Sequence, residues 1–405
     1  MRRSTAGEAS GREFIVLVTA LMATAAMAID TILPAFADMR EAFDMPADSG
    51  QVGWTVTAFF LGMSVGPWLY GPASDRFGRR TPLYVGLVVY VISGVVAATT
   101  SRWEVLVVAR FLWGVGAAGP RSLAVAIVRD RYSGDRMARL MSLIMAVFLL
   151  VPIAAPAVGA GLLAVLPWRS VFWFPVAMAL GLMVWARRLP ETLRVEDRRP
   201  FTLRSFVAAS REVVTHRQTR NFALAVMCIY GVVSAYLTGS ELIVNDVFDL
   251  VEWFPLFFSG IAMLLALSSL MSAFLVRRIG VVRLVRRSSL VAFVSSFGLL
   301  AASMVDGGHP PFWLFVISLA VVLAISQALG PSLNTLAMQP VPHIAGTASA
   351  VIGTVTIAGG AVIGGLTNAA FDGSIRPMAV AFVVLTAATA GLVLFGATTR
   401  PAVGD

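Results

Sequence analysis

The chain has 405 residues, of which 58% are hydrophobic and 13% charged, against about 25% charged in an ordinary soluble domain. With a mean hydropathy of +0.82, this excludes a soluble globule, a disordered tail and a disulfide scaffold, and points to an integral membrane protein with many spans. The net charge of +9 rests on 31 basic residues, all of them arginine. No lysine is present to complete a nucleotide-binding P-loop or a Schiff base with a carbonyl cofactor.

Twelve apolar stretches are long enough to cross about 30 Å of hydrocarbon. They run roughly over 14–36, 52–73, 82–100, 104–127, 140–165, 169–186, 221–242, 254–276, 288–305, 312–335, 345–370 and 377–397. The expected fold is therefore an all-α membrane protein of twelve transmembrane helices. The first stretch contains small-x-small triplets that also suit a cleaved signal peptide. It is read as a retained span, because cleavage would break the symmetry between the halves. With the N-terminus inside, 25 arginines fall in inner segments and 4 in outer loops, leaving Arg110 and Arg121 within a span. That asymmetry predicts cytoplasmic termini.

The arginine-rich segment 187–220 is the longest connection. It is read as a cytoplasmic linker carrying an amphipathic helix, between an N-terminal bundle (1–186) and a C-terminal bundle (221–405). The halves resemble each other. Gly78 and Gly280 follow the second and eighth spans, and AlaValGlyAlaGlyLeu (157–162) matches AlaValIleGlyGlyLeu (361–366) at nearly the same offset. Two six-helix halves with weak internal symmetry describe a transporter whose halves rock about a central cavity.

Cys228 is the single cysteine and cannot form an intramolecular disulfide. His216, His309 and His343 lie far apart, so no metal site is expected. Asp30 and Arg110 sit at matching depth, each about 9 Å below the outer surface, and would pair if the first and fourth spans are neighbours. An ionisable residue there is functional by default; a permanent structural pair is the alternative. Arg121 lies within about 20° of Arg110 on one helix face, and either contacts substrate or snorkels inward. Thr19 shares the face of Asp30, and either lines a cavity or bonds back to its own helix. Tyr230, Ser234 and Glu241 share a face of the seventh span, with Glu241 read as an interfacial acid. Gln327 and Asn334 share a face of the tenth; Tyr230, Ser234, Gln327 and Asn334 are candidate cavity positions, with interhelical hydrogen bonding as the alternative. Met145 and Phe148 of the fifth offer a deformable cavity wall. Pro152 and Pro156 remove helical hydrogen bonds there, while Gly159 and Gly161 permit close packing.

GlyProAlaSerAspArgPheGlyArgArg (71–80) resembles the signature loop of the major facilitator superfamily. ArgPheLeuTrpGlyValGly (110–116) resembles that family's second motif. ProAlaValGlyAlaGly (156–161) is similar to its antiporter motif, with Ala155 and Ala160 where glycines are expected. AspThrIleLeuPro (30–34), ArgAsp (129–130) and LeuProGluThrLeu (189–193) are similar to the bicyclomycin/chloramphenicol-resistance group of drug:proton antiporters. The resemblance spans essentially the whole chain. It implies the two-bundle fold and a gating role for Gly71, Asp75, Arg76, Gly78, Arg79 and Arg80, with Asp75 accepting N–H bonds from the N-terminus of the eleventh span, across the two halves. It also implies proton coupling through Asp30 and Arg110, and a hinge or seal at Pro152, Pro156, Gly159 and Gly161.

The function expected is secondary active efflux of small amphiphilic drugs in exchange for protons, in a bacterial cytoplasmic membrane. The proton is the coupling ion, and no cofactor, catalytic residue or metal is needed. The expected partners are a small-molecule substrate and the bilayer, without nucleic acid; a monomer is expected. The alternatives are export of a specific metabolite, such as a sugar or amino acid derivative, and a transport-dead membrane sensor. One carboxylate beside two guanidinium groups, with Glu241 kept at the interface, predicts that neutral or anionic amphiphiles are exported better than cations.

Overall fold

The computed structural model describes residues 11–46, 48–194, 196 and 203–396. Among these residues every regular element is helical: α1 (Gly11–Asp30), α2 (Phe36–Ala42), α3 (Trp54–Phe77), α4 (Arg80–Thr99), α5 (Trp103–Arg131), α6 (Gly134–Leu163), α7 (Ser170–Trp185), α8 (Leu203–Thr215), α9 (Arg217–Leu242), α10 (Phe254–Ile279), α11 (Val281–Ala302), α12 (Phe312–Met338), α13 (Ala345–Ala369) and α14 (Arg376–Gly396). Twelve segments are long and apolar enough to span a membrane, the number expected. The first combines α1 and α2 across a tight turn at Leu33–Ala35. Helix α8 lies in the long arginine-rich connection and buries Val213 while exposing Val207 and Val214.

The chain forms two compact units. One comprises 1–47, 54–202 and 253–262, the other 48–53, 203–252 and 263–405. In the first, α1 packs against α5, α6 and α7, and α4 against α5 and α7. In the second, α9 packs against α12, α13 and α14, and α11 against α12 and α14. Each helix of the second set occupies the place of its counterpart in the first, so the repeat in sequence is also a repeat in packing. Gly78 and Gly280 share a left-handed backbone, at φ +89° and +80°, which favours glycine.

Helix α5 is wedged between α3 and α4. A Cβ on Gly114 would lie 1.9 Å from Phe59 O of α3, and one on Gly116 would lie 2.4 Å from Tyr90 N of α4. Residues two apart point about 200° away from each other, so each glycine opens one side of α5 to one neighbour. Trp113 fills the adjoining space, edge-on to Tyr90 at 5.3 Å and tilted on Phe172 at 6.0 Å. In the second unit the corresponding contact, α10 with α12, is made by hydroxyls. Ser268 donates to Ala324 O, and Ser272 donates to Ala328 O at 2.7 Å.

The segment 71–80 is not a loop. Helix α3 continues to Phe77 with Pro67 and Pro72 inside it, and only Gly78 and Arg79 separate it from α4. Gly71 is accordingly an ordinary helical residue, with nothing within 4 Å of where its Cβ would be.

Candidate functional site

Asp30 is the last residue of α1 and is 5% exposed. Arg110 of α5 is fully buried, and α1 and α5 are neighbours, which is the condition for the expected pair. The pair does not form. Arg110 Nη1 instead donates to Ala28 O at 2.9 Å and Nε to Thr55 O at 3.1 Å. Its guanidinium lies 4.7 Å from the Phe59 ring centroid and 5.2 Å from that of Trp113. Ala28 O is among the last carbonyls of α1, which have no partner within the helix and carry the negative end of its dipole. Arg110 therefore caps the helix that carries Asp30 rather than neutralising Asp30 itself. Its Nη2 is buried without a hydrogen-bond partner. No ion pair or hydrogen bond to the Asp30 carboxylate is present among the described residues.

A second polar cluster surrounds the turn from α3 to α4. Glu191, beyond α7, accepts N–H bonds from Arg79 at 2.8 Å and Arg80 at 3.1 Å, and so caps the start of α4. It also accepts from the N–H groups of Thr192 and Leu193, each at 3.0 Å. A Cβ at Gly78 would fall 2.6 Å from Glu191 Oε2, so both the backbone and the carboxylate require glycine there. Arg79 donates through Nε to Asp130 Oδ2 at 2.8 Å, and through Nη1 to Ser74 Oγ at 2.7 Å and Asp75 Oδ1 at 2.8 Å. Thr192 Oγ1 donates to Asp130 Oδ2 at 2.9 Å. The acid that caps a helix N-terminus in this cluster is Glu191; Asp75, largely exposed, holds Arg79 from one turn earlier. Burial works against the Arg79 charge, yet the bonds to Asp130 and Asp75 outweigh it and hold the guanidinium above its usual range.

Burial raises the Glu191 carboxyl, but the four backbone donors outweigh it and hold it below the usual glutamate range. A carboxylate lowered on folding stabilises the native state above its unfolded value, near 4.3. That contribution is lost as pH falls through the folded value. Glu191→Gln is therefore expected to lower the thermal midpoint at pH 7 and to matter much less near pH 3. Equal differences between variant and wild type at both pH values would refute the assignment.

The remaining candidates divide. Gly159 is a true close-packing residue, since its Cβ would meet Thr31 O of the first span at 2.3 Å. Gly161 is exposed with nothing within 4 Å, so it packs no neighbour. Pro152 and Pro156 lie inside a continuous α6. The Thr19 hydroxyl donates to Ile15 O at 2.8 Å, the alternative of bonding to its own helix. Ser234 is fully buried where Gly364 of α13 passes over it, and Tyr230, half-buried, packs against Gly360, so both take part in the contact between α9 and α13. Arg121 and Gln327 are half-buried, Asn334 and Met145 exposed. The side chain of Phe148 lies outside those described. Arg76 is exposed and stacks on Phe77, and Arg80 is half-buried. Glu241, expected near the outer end of its span, is 1% exposed.

The Major Facilitator Superfamily profile matches residues 16–365. An uncharacterized MFS-type transporter of Bacillus subtilis, YdgK, is 30% identical over 91% of this chain and 91% of its own. A bicyclomycin resistance protein homolog of Haemophilus influenzae is 26% identical over 90% of this chain and 91% of its own. The crystal structure of a D-xylose-proton symporter superposes with a TM-score of 0.73 at 16% identity, over 96% of this chain and 98% of that one. Twelve spans, a packing repeat and a glycine turn clasped by an acid and an arginine thus coincide with similarity over nearly the full length, and the chain is a multi-pass membrane transporter belonging to the Major Facilitator Superfamily.

Proposed function

We propose that this protein exports small amphiphilic drugs across a bacterial inner membrane in exchange for protons, by alternating access, as a monomer with both termini in the cytoplasm. The observation that carries the reading is Asp30: a carboxylate 5% exposed within the first span, close to Arg110 in the fold yet not bonded to it. A buried acid that served only stability would be expected to hold a partner, because the desolvation cost is otherwise uncompensated. An acid that loads and releases a proton must be free to change charge. In the cycle, Asp30 takes a proton from the outer side as drug leaves, then releases it to the cytoplasm before drug binds again. The resistance function named for the Haemophilus relative agrees with this direction of transport. The cluster of Asp75, Arg79, Asp130 and Glu191 is proposed to stabilise one conformation of the α3–α4 turn during the cycle.

The test is a resistance profile of cells expressing the protein, followed by everted vesicles given each compound that the profile identifies in the external medium. Addition of the compound should release protons from acidified vesicles, and a protonophore should abolish its accumulation. Accumulation that persists with the proton gradient collapsed would remove the proposed coupling.

A further inference from the structure

Among the described residues Glu241 is the second carboxylate buried inside a span, and nothing in the cycle above uses it. It is the penultimate residue of α9 and 1% exposed. Immediately after it the helix widens into a π turn, Ile243–Val247, a geometry that is rare and frequent at functional sites. That turn brings Asn245 onto Glu241, with the Asn245 side-chain nitrogen donating to Glu241 Oε1 at 2.6 Å. The separation is short for an N–H···O bond and ordinary for an O–H···O bond. The two ends of an asparagine amide are assigned by their hydrogen bonds, and here the other end, Oδ1, is buried without a partner. No second bond therefore holds the amide in one orientation. As oriented, it donates to an ionised carboxylate. Turned over, it accepts from a protonated one, at a distance suited to that bond.

We propose that Glu241 is a second proton-binding carboxylate, in the second compact unit, with Asn245 as the positioning residue that accommodates both of its charge states. This rests on the proton-coupled reading given above and extends it from one site to two. Proton binding forms one O–H bond on the carboxylate, and the same proton returns to solvent on release, with no other reactant. Of the elements packed against α9, helices α12 and α13 and the segment 50–53 carry no titratable or charged residue. Helix α14 carries Arg376, whose Nε donates to Ser303 O. The π turn carries Asp246. Helix α9 itself carries Tyr236, Tyr230 and Cys228 and, about 30 Å or more away, Arg220 and Arg217. Helix α8, with Arg204, Arg211 and Glu212, adjoins that far end. Two sites would let one exported molecule be exchanged for two protons.

Protons themselves are the probe. The purified full-length protein in detergent is titrated between about pH 5 and pH 9, and buried carboxylic acid is read from its infrared carbonyl stretch. Wild type should show two titrating components. Glu241→Gln should remove one and Asp30→Asn the other. Asn245→Leu, which keeps the carboxylate but removes the Asn245 N–H bond to it, should raise the midpoint of the Glu241 component by about one pH unit, a tenfold change in proton affinity. Identical titrations in wild type, Glu241→Gln and Asn245→Leu would overturn the proposal, and the last variant decides it if the first does not fold. A titrating Glu241 in a protein whose drug export ignores the proton gradient would instead refute the coupling and leave this site standing.

Discussion

Asp30→Asn is expected to abolish uphill export while leaving the protein folded and inserted. Asparagine keeps the shape of the side chain at the end of α1 and removes only its ability to carry a proton. Removing one member of a buried ion pair usually strands the other charge and costs several kcal/mol. Here Arg110 keeps both of its bonds, to Ala28 O and Thr55 O, so that penalty does not arise. The energetic loss falls on coupling. One proton moving down about 100 mV supplies about 2.3 kcal/mol, roughly a 50-fold concentration ratio of exported compound. In everted vesicles the variant should therefore equilibrate drug without accumulating it, and drug addition should release no protons. Accumulation at the wild-type level would sink the assignment. Arg110→Ala makes the contrast, because it removes the cap of α1 and should reduce the yield of folded protein as well as transport.

The fold was legible because it is written in composition and periodicity. Apolar runs of some twenty residues have few alternatives to a spanning helix, and the repeat showed in Gly78 and Gly280 together with the matched segments 157–162 and 361–366. The site was legible as a set of residue types but not as a set of bonds. Matching depth placed Asp30 beside Arg110, yet depth says nothing of the backbone carbonyls at the end of α1, and those compete for the guanidinium. The acid that caps α4 is 112 residues from Arg79, a separation that no local pattern reports. What was visible is that Asp130 and Glu191 are acids set in otherwise arginine-rich connections, where an acid has basic partners to choose from. The surroundings of Glu241 were hidden for a different reason. Its place near the end of an apolar run is visible in the sequence, but the π turn after it and the bond from Asn245 are not.

The last expectation concerns the two glycines that follow Arg110 at +4 and +6. On sequence alone they are a motif without a mechanism. In the fold, Gly114 faces α3 and Gly116 faces α4, and each meets main-chain atoms rather than a side chain. The approach at Gly114 is reciprocated by Gly62 of α3, whose Cβ would lie 1.9 Å from Phe111 O. A flexible side chain can rotate away from an added methyl group, but a backbone carbonyl can move only if its whole helix moves. Overpacking in a core costs about 1–3 kcal/mol and occasionally more, and contacts this close belong at the upper end. Arg110 shares the α3-facing side of α5 with Gly114, and its bond to Thr55 O of α3 needs the same close approach. Gly114→Ala and Gly116→Ala are therefore each expected to abolish most of the monodisperse protein recovered in detergent. Gly161→Ala, with nothing within 4 Å of its Cβ position, should leave the yield unchanged. The three variants separate packing from family resemblance, because Gly161 belongs to a motif as surely as the other two. Normal recovery of the Gly114 variant, with its thermal midpoint unchanged, would mean that α3 and α5 do not cross this closely.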